Sequence, residues 1–427
     1  MPDSSRNRGS WTTPWFDPYP LVKPIILHRA PWLVTVARPV PAAGAVAVAG
    51  GRILAVGEFT ELQAEYPGAG VRDHHNCALV PPLVNAHIHL ELSHLGQPGP
   101  NPVPESFTAW VAELLARREQ LGATGENVVA AARQMLDQQY RSGVIALADI
   151  GNTDTTAKLA GDEPGVLYHF REFLGLTRNV ARENLAVLAG EPEMNRCTAH
   201  APYSTHADLI TGLKRRARQL GHLFPLHVAE SAAENELVSS GSGELKDFLR
   251  QRGFWDDSFQ PTGIDNSGSV RYLHQLGILD ERTLCVHCVH VGREEVRLLA
   301  AGKTKVCLCP GSNRFLGVGR APVDLFLQHG ILPALGTDSL ASNRELSMWR
   351  EMRLLQEDHP DLDPAAILAM ATLGGATALG IEQDYGTLEH GKSADFLAVP
   401  LPDGIKAPGQ LLNYLVTGGP AIQPVWI

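Results

Sequence analysis

Histidines stand at the ends of several apolar runs in this 427-residue chain, where their imidazoles could hold a metal ion. His87 and His89 end the run 78–89, and because side chains alternate along a β-strand, both would point to the same face. Two imidazoles on one face can grip a divalent cation at about 2.0–2.1 Å each. Paired histidines also occur as hydrogen-bonded groups at strand ends, so this pair alone leaves both interpretations open.

Two later runs supply groups that would complete such a site. His227 lies in the run 223–229, Glu230 follows where the chain leaves that strand, and Asp338 comes directly after the run 331–337. In a closed barrel the last strand adjoins the first, so Asp338 could reach a cation that the first two histidines hold. The predicted metal ligands are His87, His89, His227 and Asp338.

Another run, 283–289, carries a further histidine and is followed by one more. We expect His287, which lies nearer the end of the strand, to face the water that the metal binds. His290 is expected in the following loop.

The cysteines include two closely spaced pairs that could be mistaken for a zinc knuckle. They fall mostly inside apolar runs rather than on turns, so we expect reduced, buried thiols instead of zinc ligands or disulfides. The six are Cys77, Cys197, Cys285, Cys288, Cys307 and Cys309.

These residues need a scaffold that brings distant strand ends together. Short apolar runs alternate with segments of helical spacing, as in consecutive βα units, and eight such runs match a closed (β/α)₈ barrel. The eight runs are 78–89, 144–150, 166–173, 196–203, 223–229, 283–289, 305–309 and 331–337. We therefore predict the α/β class, with a TIM barrel over residues 78–384.

Strand-like segments also flank the barrel in the sequence. We predict that residues 21–77 and 385–427 form the two parts of one small β-sandwich, built from both termini, and that residues 1–20 are an N-terminal extension. The segment 231–282 is longer than a simple βα return requires. It could be a lid over the site or a surface elaboration with no part in catalysis.

The composition of the chain indicates which classes of binding partner to expect. Lys and Arg number 36 against 46 Asp and Glu, a formal net charge of -10, which disfavours nucleic acid and anionic lipid. No run reaches the roughly 18 apolar residues that a membrane span needs, and residues 1–20 hold no signal-peptide core. We expect a cytoplasmic protein with a small-molecule substrate.

The chain resembles the amidohydrolase superfamily, in particular the deaminase branch. This branch includes S-adenosylhomocysteine/methylthioadenosine deaminases, aminodeoxyfutalosine deaminase, guanine deaminase and chlorohydrolase-like enzymes. The likeness covers nearly the whole chain and rests on the histidine and aspartate pattern together with four motifs. The motifs are His200-Ala201-Pro202-Tyr203-Ser204, Cys309-Pro310-Gly311-Ser312-Asn313, Gly319-Arg320-Ala321-Pro322 and Gly336-Thr337-Asp338-Ser339-Leu340-Ala341-Ser342-Asn343.

The resemblance implies roles for individual residues. The four predicted ligands would bind the metal, Glu230 and His287 would handle protons together with Asp338, and His200 would contact substrate. Binuclear members carry a lysine at the end of the fourth strand, and this chain has none there, which implies one divalent ion, Zn²⁺ or Fe²⁺. A homodimer is a further expectation from the resemblance.

The long segment after the fifth strand is similar to that of enzymes proposed to deaminate 6-amino-6-deoxyfutalosine. On such a substrate Arg171, at the end of the third strand, could bind a carboxylate. The alternative is an arginine paired with a nearby acid at a subunit contact.

The predicted reaction is the hydrolytic removal of an exocyclic amino group from a purine-like heterocycle. In this hypothesis Asp338 accepts a proton from water, Glu230 protonates the ring nitrogen beside the attacked carbon, and His287 polarises the water. The best substrate class is an adenine nucleoside derivative, such as aminodeoxyfutalosine, S-adenosylhomocysteine or methylthioadenosine. Hydrolysis of an amide or a carbon–halogen bond is the nearest alternative, and a non-catalytic barrel is a more distant one.

Overall fold

The computed structural model describes residues 23–38, 43–96, 104–161, 164–264 and 267–427. The predicted extension 1–20 lies outside these ranges. None of the helices within them combines the length and apolar character that a bilayer crossing demands.

The described residues form sixteen strands in four sheets. The strands are β1 (Ile26–Arg29), β2 (Trp32–Leu33), β3 (Gly44–Ala49), β4 (Arg52–Glu58), β5 (Gly70–Asp73), β6 (Cys77–Val80), β7 (Leu83–Ile88), β8 (Val144–Gly151), β9 (Val166–Phe173), β10 (Arg196–Ala199), β11 (Phe224–Val228), β12 (Thr283–His287), β13 (Lys305–Leu308), β14 (Ala334–Leu335), β15 (Leu397–Pro400) and β16 (Val425–Trp426).

Helices connect and cover these strands. The α-helices are α1 (Phe59–Glu65), α2 (Phe107–Leu121), α3 (Glu126–Arg141), α4 (Arg178–Ala189), α5 (Ala207–Leu220), α6 (Ala232–Ser240), α7 (Glu244–Gln251), α8 (Ser269–Gln275), α9 (Arg293–Ala301), α10 (Pro310–Leu316), α11 (Val323–Gln328), α12 (Met348–Asp358), α13 (Pro364–Ala369), α14 (Gly375–Leu379) and α15 (Pro408–Thr417). Short 3₁₀ helices occur at Leu90–Leu95, Ala157–Leu159 and Gly419–Ala421, and a π-helical turn at Met370–Gly374.

Strands β7 to β14 form the barrel. They pair in parallel as two four-stranded sheets, β7 to β10 and β11 to β14, each in sequence order. Backbone hydrogen bonds close the ring: His227 N donates to His200 O at 2.8 Å, and Thr337 N donates to His87 O at 3.0 Å. The predicted eight-stranded α/β barrel is confirmed, and its strand ends meet at one rim.

The other two sheets contain strands from both ends of the chain. One sheet has the order β4-β3-β1-β5, and the other, a mixed sheet, has the order β16-β15-β6-β2. Side chains from both sheets share an apolar core that includes Leu33, Val46, Leu79 and Phe396. This arrangement agrees with the predicted sandwich built from both termini. Helix α15, by contrast, packs against α12 and α13.

Three predicted strands need correction. The run 78–89 is divided into β6, which pairs with β15 in the terminal sheet, and β7, which opens the barrel. Pro81 and Pro82 stand between them, and since proline has no N–H, the ladder cannot continue. The runs 196–203 and 331–337 are shortened to β10 and β14, and their remaining residues form the loops of the rim. All six cysteines are free thiols, as predicted.

Candidate metal centre and active site

The predicted histidine pair lies at the end of β7 with both rings turned to one point. His87 Nε2 and His89 Nε2 are 3.1 Å apart. Asp338, just beyond β14, places Oδ1 at 3.4 Å from His89 Nε2 and 3.7 Å from His87 Nε2. All three side chains are buried. Two strand ends that are neighbours in the closed barrel therefore supply three groups to one position.

The third imidazole comes from across the barrel. His227, at the end of β11, has its ring centroid 4.8 Å from that of His87 and 5.4 Å from that of His89. His287, at the end of β12, approaches it with Nε2 at 3.1 Å from His227 Nδ1. The structure thus brings together all four residues predicted as ligands, with His287 beside them.

This cluster fits a divalent cation in its donor atoms and in its protonation. Ligand atoms of His87, His89 and Asp338 lie within 4.8 Å of one another, as do those of His87, His227 and His287. His227 Nε2 is buried without a hydrogen-bond partner. Burial lowers the pKa of His87 to about 4 and that of His227 well below its usual value. These imidazoles are therefore neutral, as metal ligands must be. The cluster is a metal site.

Asp338 is fixed as a carboxylate by its neighbours. Burial would raise its pKa, but the hydrogen bond with His87 and the surrounding histidines outweigh burial and lower the pKa well below its usual value. Ser312 Oγ and Ser342 Oγ both donate to Oδ2, at 2.6 and 2.8 Å. Oδ1 is left facing the histidines. The backbone of Asp338 has a φ of 58°, an uncommon conformation that these contacts maintain.

His287 is oriented by an asparagine that sequence reasoning did not assign. Asn313 Oδ1 lies 3.0 Å from His287 Nδ1, so a proton on Nδ1 leaves the Nε2 lone pair facing the site. Both residues are buried. The only sequence signal for Asn313 was the motif that contains Ser312 and Asn313. That motif indicates the family but does not show that Asn313 contacts His287.

We expect Asn313→Ala to lower kcat by about 10- to 100-fold, since a histidine in a metal site depends on the partner of its other ring nitrogen. Steady-state kinetics with metal content measured in parallel check this. Unchanged kcat would show that His287 keeps its orientation without Asn313.

Glu230 lies where the chain leaves β11, with Oε1 at 3.6 Å from His287 Nε2. Burial first, and then the charge of Asp338, raises its pKa well above the usual value. Glu234, in the first turn of α6, accepts the N–H groups of Ala229 and Glu230, each at 2.8 Å, and so holds the turn that presents Glu230. A carboxyl group with a raised pKa therefore lies beside the metal site.

A cavity of about 190 Å³ opens onto this site. His89, His227, Glu230 and Asp338 are among the residues at its floor, and apolar side chains form much of its wall. Several of these belong to the segment 231–282, which contributes Leu245, Phe248, Leu249 and Phe254. Part of this segment is thus a wall of the cavity rather than a remote surface elaboration.

The two predicted substrate contacts have different surroundings. His200 lines the cavity, with Nδ1 at 2.6 Å from Ser204 Oγ. Arg171 is not among the described residues that line the cavity, and its guanidinium pairs with Glu191 and with Asp154. Because side chains alternate along β9, it is the next residue, Glu172, that faces inward. Arg171 thus pairs with nearby acids, as in the alternative interpretation, and the cavity is lined at this point by Glu172, which sequence reasoning did not assign.

Comparison with known proteins identifies the family. Residues 78–419 match the model of the amidohydrolase family, and residues 44–69 match that of the bacterial imidazolonepropionase-like composite domain. A 5-methylthioadenosine/S-adenosylhomocysteine deaminase of Moorella thermoacetica is 30% identical over 393 residues, 88% of this chain and 86% of the relative. An aminodeoxyfutalosine deaminase of Nitratiruptor sp. is 29% identical over 371 residues, 83% of this chain and 86% of the relative.

A solved structure shares the fold. Helicobacter pylori aminofutalosine deaminase, in complex with methylthio-coformycin, superposes with a TM-score of 0.79 at 24% identity, over 92% of this chain and 96% of the other. The resemblance drawn from the sequence motifs is confirmed, since the family model spans the whole barrel and the predicted histidines and aspartate meet in one metal site. This chain belongs to the amidohydrolase family.

Proposed function

We propose that the protein is a metal-dependent deaminase that hydrolyses the exocyclic amino group from the purine-like ring of an adenine nucleoside derivative and releases ammonia. One observation carries the proposal: the carboxyl groups of Glu230 and Asp338 line one cavity on either side of His287 Nε2, at 3.6 and 4.0 Å. Burial raises the pKa of Glu230, whereas the surrounding histidines lower that of Asp338, so the two groups suit opposite roles in proton transfer. Hydrolytic deamination needs both a proton donor and a proton acceptor at the same carbon. The activities named for the relatives support the same chemistry.

The residues divide the reaction between them. A divalent cation in the cluster would bring the pKa of a bound water toward neutrality. Asp338 accepts a proton from the attacking water, and the imidazole of His287 holds the oxygen that adds to the amino-bearing carbon. Glu230 gives its proton to the adjacent ring nitrogen, so negative charge does not accumulate on the ring. Asp338 then passes its proton to the amino group, the carbon–nitrogen bond breaks and ammonia leaves. The added hydroxyl group returns its proton to Glu230 as the ring carbon becomes a carbonyl, so both carboxyl groups regain their starting state.

We propose a single ion, Zn²⁺ or Fe²⁺, held by His87, His89, His227 and Asp338. Three nitrogens and one carboxylate oxygen suit either metal. Removing the ion with a chelator should lower ammonia release by about 100-fold or more, because a metal ion contributes several kcal/mol to such reactions. Re-addition of Zn²⁺ or Fe²⁺ to the apoprotein, followed by assay and elemental analysis, checks both the dependence and the stoichiometry. Full activity in the metal-free protein would contradict the proposal.

The substrate proposal is tested with a panel of aminated compounds. Ammonia release is measured for aminodeoxyfutalosine, S-adenosylhomocysteine, methylthioadenosine, adenosine and guanine. We expect turnover of at least one of the first three, which share adenine, a sugar and a substituent at the 5′ position. Hydrolysis of an amide or of a chlorinated triazine without any ammonia release from the panel would overturn deamination in favour of another metal-assisted hydrolysis.

A further inference from the structure

Glu172 carries a carboxylate oxygen that the described protein leaves without a partner. The residue is only 7% exposed and lines the cavity. Its Oε2 accepts a hydrogen bond from Asn152 Nδ2 at 2.7 Å, whereas Oε1 is buried with no hydrogen-bond partner. A buried acceptor of this kind costs free energy unless a ligand supplies the missing donor.

The position of Glu172 shows which part of a ligand would meet it. Oε1 lies 3.7 Å from His227 Nε2, at the edge of the metal cluster. On its other side Asn152 contacts Arg118, which also pairs with Glu91 at 2.9 Å. Arg118 and Glu91 line the same cavity. Glu172 therefore lies on the cavity wall between the metal cluster and the pair of Arg118 and Glu91, so a ligand that reaches from the metal cluster toward this pair passes Glu172.

The chemistry of the acceptor narrows the choice of donor. A carboxylate only accepts hydrogen bonds, and the ring nitrogens of an N9-substituted adenine are acceptors as well. The amino group of adenine is a donor, but in the proposed reaction it lies at the metal, beside Glu230 and Asp338. The remaining donors of an adenine nucleoside are the hydroxyl groups of its sugar. Carboxylates recognise ribose hydroxyls in other nucleotide-binding sites.

We propose that Glu172 accepts a hydrogen bond from a ribose hydroxyl and makes the enzyme select nucleosides over analogues that lack it. The proposal rests on the proposed deamination of an adenine nucleoside. Asn152 is the positioning residue, because its amide fixes the other carboxylate oxygen.

The test compares adenosine with 2′,3′-dideoxyadenosine as substrates, and inosine with 2′,3′-dideoxyinosine as product ligands, for the metal-loaded wild type and Glu172→Gln. The wild type should prefer the hydroxylated member of each pair by about 10- to 100-fold, in kcat/KM and in Kd, as expected for a hydrogen bond to a charged acceptor. In Glu172→Gln this preference should fall by about 10-fold. Glu193→Gln, an exposed carboxylate substitution, should leave both preferences as in the wild type.

Two results would overturn the proposal. If the preference is equal in the wild type and in Glu172→Gln, the sugar does not meet this carboxylate, whether or not adenosine is deaminated. Glu172, His200 and His227 also have ligand atoms within 4.8 Å of one another. Two metal ions per chain in the wild type and one in Glu172→Gln would make Glu172 a metal ligand instead. A wild type that deaminates no adenine nucleoside, yet binds inosine with the expected preference, would contradict the proposed function alone.

Discussion

Asp338→Asn should lower kcat/KM by about 10⁴-fold or more and should greatly weaken metal binding. In the wild type Ser312 and Ser342 both donate to Oδ2, and Oδ1 faces the histidines. An asparagine in the same place would give its carbonyl oxygen to the two hydroxyls and turn its NH₂ group toward the imidazoles. An NH₂ group can neither bind a cation nor accept a proton from water, so both functions are lost in one nearly isosteric change.

Kinetics and metal content of the purified variant check this prediction, and far-UV circular dichroism verifies its fold. Asp324→Asn is the control, since Asp324 is an exposed carboxylate in the first turn of α11. It should keep both activity and metal. An Asp338→Asn protein that retained a full equivalent of metal and most of its activity would remove Asp338 from the site.

The metal site could be predicted from the sequence because two general rules determine its geometry: side chains alternate along a strand, and parallel barrel strands all end at one rim. The pair His87 and His89 determines by alternation which face they share, whatever the details of the strand. His227 and Asp338 stand at strand ends, and parallel strands in a closed barrel bring all their carboxyl ends to one rim. The ring closure of β14 on β7 then places Asp338 beside the histidine pair.

The substrate side could not be predicted in the same way. Arg171 and Glu172 are adjacent polar residues near the end of β9, and the sequence has no second ligand there to show which of them faces inward. Because side chains alternate between the two faces of a strand, only one of these neighbours can face inward. A shift of one residue in the register of β9 would turn Arg171 inward and Glu172 outward. Glu172 also depends on Asn152, which belongs to the loop after β8, and the conformation of that loop follows from tertiary contacts rather than local sequence.

Local rules also missed the division of the first run. A strand prediction from apolar residues joined 78–89, although Pro81 and Pro82 interrupt the backbone donors. The two prolines mark the point where the chain leaves the terminal mixed sheet after β6 and enters the barrel at β7. The prediction wrongly assigned the residues of β6 to the barrel. It still placed His87 and His89 at the end of the first barrel strand, so the predicted metal site was unaffected.

Glu230→Gln should lower kcat by about 10²- to 10⁴-fold while the metal stays bound. Gln has nearly the same shape but no proton to give to the ring nitrogen. Glu230 is also not among the predicted ligands, so the metal site itself is untouched. Because burial raises the pKa of Glu230 well above 4.5, the acid form persists at pH values where an exposed glutamate is ionised. As the pH rises through this raised pKa the proton donor is lost, so kcat/KM of the wild type should decline on the alkaline side.

A pH profile separates Glu230 from its neighbour. Burial also raises the pKa of Glu234 to about 7, so an alkaline decline in the wild type could come from either group. In Glu230→Gln the carboxyl group of Glu234 is retained. If Glu230 is the acid, the residual activity of the variant should lose the alkaline decline, whereas Glu236→Gln, an exposed change on the same helix, should keep it. A variant with little activity but an unchanged decline near pH 7 would assign the titration to Glu234, and near wild-type turnover would exclude Glu230 as the proton donor.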